Sequence, residues 1–113
     1  MQGADYNKRE RSEAKRIGAK PHKNSGRGEI QKGDMSNEQF VIDAKFALKS
    51  FTLNENVWAK VCTDAMKVDR SKDPMLYLVI GEGAKTVRLA VVEYATIESM
   101  MRETQKNAQT KEV

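Results

Sequence analysis

Phe40-Val41-Ile42-Asp43-Ala44-Lys45-Phe46 and Met75-Leu76-Tyr77-Leu78-Val79-Ile80 are the stretches whose reading decides the fold. In the first, Phe40, Ile42, Ala44 and Phe46 alternate with Val41, Asp43 and Lys45, which is the period-two pattern of a strand over residues 39–46. The second is apolar without interruption, as expected of a central strand over 75–80 that is buried on both faces. Between them Val57, Trp58, Val61, Ala65 and Val68 recur at helical spacing, with Cys62 beside them, which predicts a helix over 54–68. Strand, helix, strand in this order reads as a parallel crossover.

Working outward, Asp73-Pro74 reads as punctuation before the second strand, and Gly81-Glu82-Gly83-Ala84-Lys85 as the turn after it. A strand over 87–92 follows and implies an antiparallel neighbour. A helix from about 97 to 107 comes next, with Thr96 as its cap and a frayed end over 108–113. Upstream, residues 5–18 read as a charged helix, capped by Asp5 and stopped at Gly18, with Tyr6, Ala14 and Ile17 as a sparse apolar stripe. Residues 19–36 are polar and contain Pro21, Gly26, Gly28 and Gly33. They read as a loop, with room for one further strand near 28–32. No internal repeat is visible. The expected class is α/β in the mixed, α+β sense: a central mixed β-sheet flanked by helices, in a single domain spanning 1–113.

Charge is unevenly spread. Residues 1–33 hold nine Lys/Arg against four Asp/Glu, a surplus of five, whereas residues 34–113 carry eleven against twelve. A cationic N-terminal third favours a polyanion through counterion release, and a solvated tail is the equal alternative. The single cysteine, Cys62, excludes an internal disulfide and points to a reducing, cytoplasmic setting. No apolar run approaches the ~20 residues of a spanning helix, so no membrane partner is expected. Gly81-Glu82-Gly83 lacks the lysine-threonine of a phosphate loop, and no small-molecule cofactor is expected.

The chemistry centres on Asp43 and Lys45, two charged groups that leave the same face of an apolar strand. Each incurs a desolvation cost unless it is paired, wet or bound to a metal. By itself an Asp-x-Lys triplet more often marks an exposed ion pair on an edge strand. Its company changes the balance, because Gly33-Asp34 lies nine residues upstream at the end of the polar segment. Two carboxylates from neighbouring strand ends suit a shared Mg²⁺, for which Mn²⁺ substitutes. Such an ion eases deprotonation of a water and offsets charge on an attacked phosphodiester, while a lysine beside that water orients it.

The arrangement Asn24-Ser25-Gly26-Arg27-Gly28, then Lys32-Gly33-Asp34, then Phe40 to Lys45, resembles the PD-(D/E)xK nuclease superfamily. Within it the likeness is to the Holliday junction resolvases of archaea and phages, and it covers about residues 10–92. Gly33 stands where that pattern has proline, and Asp43 where glutamate is commoner. The resemblance implies a restriction-endonuclease-like fold and a metal-dependent endodeoxyribonuclease acting on branched DNA as a homodimer. It implies Asp34 and Asp43 as metal ligands, Lys45 as the catalytic lysine and Ser25 in the loop at the scissile phosphate. Glu13 would be the helix carboxylate that completes the metal site, with Glu10 as its competitor.

Arg27, Lys20, Lys23 and Lys32 surround that site and are expected to contact phosphate, with Arg16 and its neighbours Lys8, Arg9, Arg11 and Lys15 extending the surface along the first helix. His22 reads as a surface loop residue, and Cys62 as core filler. Trp58 reads as core or dimer interface, and Met100 and Met101 as helix packing or interface. Two alternatives stay open: a nicking or restriction-like enzyme acting on duplex DNA, and a non-catalytic basic DNA-binding protein in which Asp43 and Lys45 are a structural ion pair.

Overall fold

The alternation along residues 40–46 becomes a strand whose two sides meet different helices. The computed structural model describes the backbone of residues 3–21 and 35–111, and the side chains of 8–21 and 35–108. The elements are α1 (Gly3–Arg16), β1 (Lys20–Pro21), β2 (Met35–Ser36), β3 (Phe40–Ala47), α2 (Glu55–Val68), β4 (Asp73–Ile80), a 3-10 turn (Gly83–Lys85), β5 (Val87–Val91) and α3 (Tyr94–Lys111). The five strands form one sheet in chain order. β3 and β4 are parallel, from Phe40 opposite Asp73 to Ala47 opposite Ile80, as the strand–helix–strand reading requires. β1–β2, β2–β3 and β4–β5 are antiparallel. The mixed sheet with three helices is the expected class.

Two apolar clusters clamp the sheet. On one face Ile42, Ala44, Tyr77 and Val79 pack with Met35 of β2 and with Ala14 and Ala19 at the end of α1, with Ile17 against them. On the other, Leu76 and Leu78 pack against Val61 of α2, with Trp58 and Val91 partly buried beside them. β4 contributes to both faces, so its apolar run is uninterrupted. Ile42 and Leu76 are fully buried, and each such side chain stabilises by about 1.5–3 kcal/mol relative to exposure.

Local chemistry sets the ends. α1 stops where Gly18 adopts φ 70°. Ala19 N–H then donates to Ala14 O (2.8 Å) and Gly18 N–H to Lys15 O (3.3 Å), the paired bonds that close a helix through a left-handed glycine. At α2, Asn54 Oδ1 accepts from Val57 N–H at 3.0 Å, satisfying one of the helix's orphan donors.

Some expectations shift. The polar segment 19–36 carries the short strands β1 and β2 at its ends, while the further strand near 28–32 lies outside the described residues. Asp73-Pro74 opens β4 instead of preceding it. Asp73 N–H donates to Gln39 O (2.9 Å), and proline is tolerated at the start of a strand, where a missing donor costs little. α3 begins at Tyr94, three residues before the expected start, so Thr96 lies in its first turn with its N–H on Glu93 O and is not the cap. The helix runs to Lys111, through much of the stretch expected to fray.

Candidate active site

Asp43 is opposite Leu76 in the register and Lys45 opposite Leu78. Leu76 and Leu78 pack under α2, so Asp43 and Lys45 leave the sheet on that face, together, as the alternation predicts. Asp43 is buried, at 8% exposure. Lys45 Nζ lies 3.5 Å from Asp43 Oδ1, with the lysine side chain 37% exposed. That distance is an ion pair and longer than a good hydrogen bond. With one partner reaching solvent it contributes about 1 kcal/mol or less.

The other face carries a second set of charges. Glu10 and Glu13 lie three residues apart on α1, hence on one helix side, and both are buried. Glu13 is fully engaged. Its Oε1 accepts from Tyr77 Oη at 2.7 Å and from Arg88 Nε at 2.9 Å, and its Oε2 accepts from Arg88 Nη2 at 2.9 Å. Arg16 Nε stands 3.7 Å away. The Arg88 hydrogen bonds hold the Glu13 carboxyl below its usual range against the opposing effect of burial, and Tyr77 adds to them. Burial, together with the bond to Glu13, pushes the Tyr77 phenol up to about 12.

Glu10 is the reverse case. Among the described residues, its Oε2 is the buried side-chain oxygen without a hydrogen-bond partner. Burial raises its carboxyl above the ordinary value, and the negative charge of Asp43 raises it further. Glu10 therefore lies within electrostatic reach of Asp43, although α1 covers one face of β3 and Asp43 leaves the other.

This geometry separates the two helix carboxylates. Glu13, which the resemblance assigns to the metal site, has its oxygens committed to a guanidinium and a phenol, and a fixed cation beside it opposes a second one. Glu10, the competitor, is the carboxylate left with an unpartnered oxygen, within electrostatic reach of Asp43. Asp34 lies outside the described residues, as do Ser25, Lys23, Arg27, Lys32 and His22. Met35, the chain neighbour of Asp34, is opposite Ile42, the chain neighbour of Asp43. Among the described residues no three His, Cys, Asp or Glu side chains converge as a ligand set.

Of the expected phosphate contacts, Arg16 is exposed but leans on Glu13. Lys20 is exposed on β1 and lines an open cleft of about 730 Å³ with Gly18, Asn37, Gln39 and Lys72. That cleft lies at the start of β3, away from Lys45. Arg9 stands over the Phe46 ring at 4.6 Å, a cation–π contact that pins it to the sheet. Cys62 is half-buried, and burial pushes its thiol up, as befits filler. Trp58 packs in the α2 cluster and its Nε1 donates to Glu93 Oε1 at 3.4 Å. Met100 and Met101 are exposed.

Sequence reading overlooked Tyr77 and Arg88. The usable signal is a glutamate one position from the buried Ala14 on a helix with few other apolar anchors; Arg88 gives none, because β5 is exposed at four of its five positions and an arginine there needs no partner.

Compared with known protein families, curated proteins and solved structures, the chain matches none. Among the described residues no helix is long and apolar enough to cross a membrane.

Proposed function

We propose that this chain is a metal-dependent endodeoxyribonuclease of restriction-endonuclease-like architecture that cuts branched DNA, a Holliday junction resolvase acting as a homodimer. The observation that carries the reading is the buried Glu10 carboxylate, one oxygen unpartnered, set within reach of the buried Asp43. Two like charges in poor solvent raise each other's cost, and a proton or a cation relieves it. Oxygen-only donors suit Mg²⁺, with Mn²⁺ as substitute. Glu10 and Asp43 approach β3 from opposite faces, so a shared ion belongs beside β3 past Ile42, where its described pairing with β2 ends. The resemblance gives the third carboxylate to Asp34, whose chain neighbour Met35 pairs with Ile42, next to Asp43. Glu10 thus takes the role that the family resemblance gives to Glu13.

Lys45, flexible and half-exposed beside Asp43, points its ammonium where it orients an attacking water and meets charge developing on a phosphate oxygen. The cation, when bound, supplies charge neutralisation at the phosphodiester and makes water easier to deprotonate. Lys20 and the basic residues 23, 27 and 32 provide backbone contacts that set affinity without sequence choice.

The test is cleavage. Purified protein is incubated with a four-way junction and with matched linear duplex, in Mg²⁺ or EDTA. Metal-dependent, symmetric nicks in the junction support the reading. Cutting of linear duplex instead moves the substrate to the nicking or restriction-like class. Binding without cleavage under Mg²⁺ and Mn²⁺ sinks the enzyme claim and leaves the 3.5 Å Asp43–Lys45 pair as a structural contact in a DNA-binding protein.

A further inference from the structure

Glu10 is held in an unfavourable place. A carboxylate with a buried, unpartnered oxygen beside another acidic group tends to swing out to water or take up a proton. Something must oppose that, and the described side chains of α1 offer little apolar anchorage. Its cluster contacts come from Ala14 near its end, with Ile17 and Ala19 just beyond it.

The opposing force lies one turn further along. Arg88 sits on β5 opposite Val79, and Tyr77 lies two residues earlier on β4, so both project from the face that α1 covers. They meet Glu13 with three hydrogen bonds of 2.7–2.9 Å. A planar guanidinium bound through two nitrogens fixes orientation as well as distance. The contact therefore fixes both the rotation and the axial position of α1 on the sheet. Glu10, three residues before Glu13, is carried into place by the same rotation.

We propose that Arg88 and Tyr77 are positioning residues: by clamping Glu13 they lock α1 in the register that holds Glu10 buried with one oxygen unpartnered on the Asp43 strand, and so preorganise the cation site. The assignment rests on the nuclease reading only in what Glu10 is for; the clamp itself is a statement about α1. It gives a role to an ion pair between the buried Glu13 and the exposed Arg88 that the chemistry does not use, and explains why a second glutamate stands so near the site with its oxygens occupied.

The experiment uses the full chain as wild type, Arg88→Met, Tyr77→Phe, Glu10→Gln and the double variant Glu10→Gln/Arg88→Met, each well below its melting temperature. Amide hydrogen exchange is read on α1 and on α2, and Mn²⁺ affinity by electron paramagnetic resonance. Arg88→Met is expected to speed exchange in α1 at least about tenfold while α2 is unchanged, and to weaken Mn²⁺ binding by about tenfold, the scale of losing a residue that orients a ligand. Tyr77→Phe moves both in the same direction by less, and stands in if Arg88→Met does not fold. In the Glu10→Gln background, Arg88→Met is expected to weaken Mn²⁺ binding no further, because it acts through Glu10. Unchanged α1 protection, or equal loss in both helices, overturns the clamp. Full additivity in the double variant overturns its connection to Glu10. If the wild type takes up no Mn²⁺, the nuclease reading fails and the exchange data alone decide the clamp.

Discussion

Arg88 grips Glu13 through both carboxylate oxygens, Nε to Oε1 and Nη2 to Oε2, each at 2.9 Å, across 75 positions of sequence. The pair ties the last strand of the sheet to the first helix. It divides the two buried glutamates of α1 into one with both oxygens hydrogen-bonded and one with an oxygen left without a partner.

Satisfaction of Glu13 has a pH signature. Its folded carboxyl lies below the ordinary 4.5, so the stability it contributes is complete above about pH 4.5 and lost as pH falls through the lower folded value. Melting temperatures of wild type and Glu13→Gln should differ most at neutral pH and converge in acid. A gap that stays constant down to pH 3 contradicts the ion pair.

Tyr77 works in the opposite direction. Its phenol is raised from 10.0 to about 12, so its contribution is present below pH 10 and lost as pH rises through about 12. Tyr77→Phe removes a hydrogen bond to a buried carboxylate and should cost about 1 kcal/mol at pH 7, a drop of about 4 °C in melting temperature. Thermal unfolding followed by circular dichroism checks both numbers.

Glu10→Gln should stabilise the protein in EDTA by about 1 kcal/mol, because it removes a buried carboxylate with one oxygen unpartnered. The same change should abolish metal-dependent cleavage. Stability gained together with function lost marks a group held in place for function. Calorimetry in EDTA alongside a cleavage assay measures the two; a destabilised variant would show that Glu10 is a structural anchor.

Lys45→Ala should reduce cleavage by about 100-fold or more while junction binding persists, as the proposed action of its ammonium on developing charge requires. Gel-shift and single-turnover assays on the same preparation separate the two effects. Near-normal turnover removes Lys45 from the chemistry.

The fold was legible in sequence wherever burial is periodic. The alternation around Asp43, the helical spacing of Val57 to Val68 and the unbroken run of β4 each follow from one side chain facing one surface. The start of α3 was misplaced because Thr96 looks like a cap by type, whereas the chain turns helical at Tyr94 beside Glu93. The candidate site was half legible. Asp43 and Lys45 stand out because two charges share a face of an apolar strand. The choice between Glu10 and Glu13 was not, because it depends on Arg88, whose partner lies across the sheet and leaves no spacing in the sequence.

The most direct test of the central claim is a crystal of the full chain soaked in Mn²⁺, with the anomalous signal located. The expected result is a peak beside β3 past its pairing with β2, about 2.1 Å from carboxylate oxygens of Glu10 and Asp43, with Glu13 still bound to Arg88. A peak coordinated by Glu13, or no peak there at millimolar Mn²⁺, would contradict the central claim.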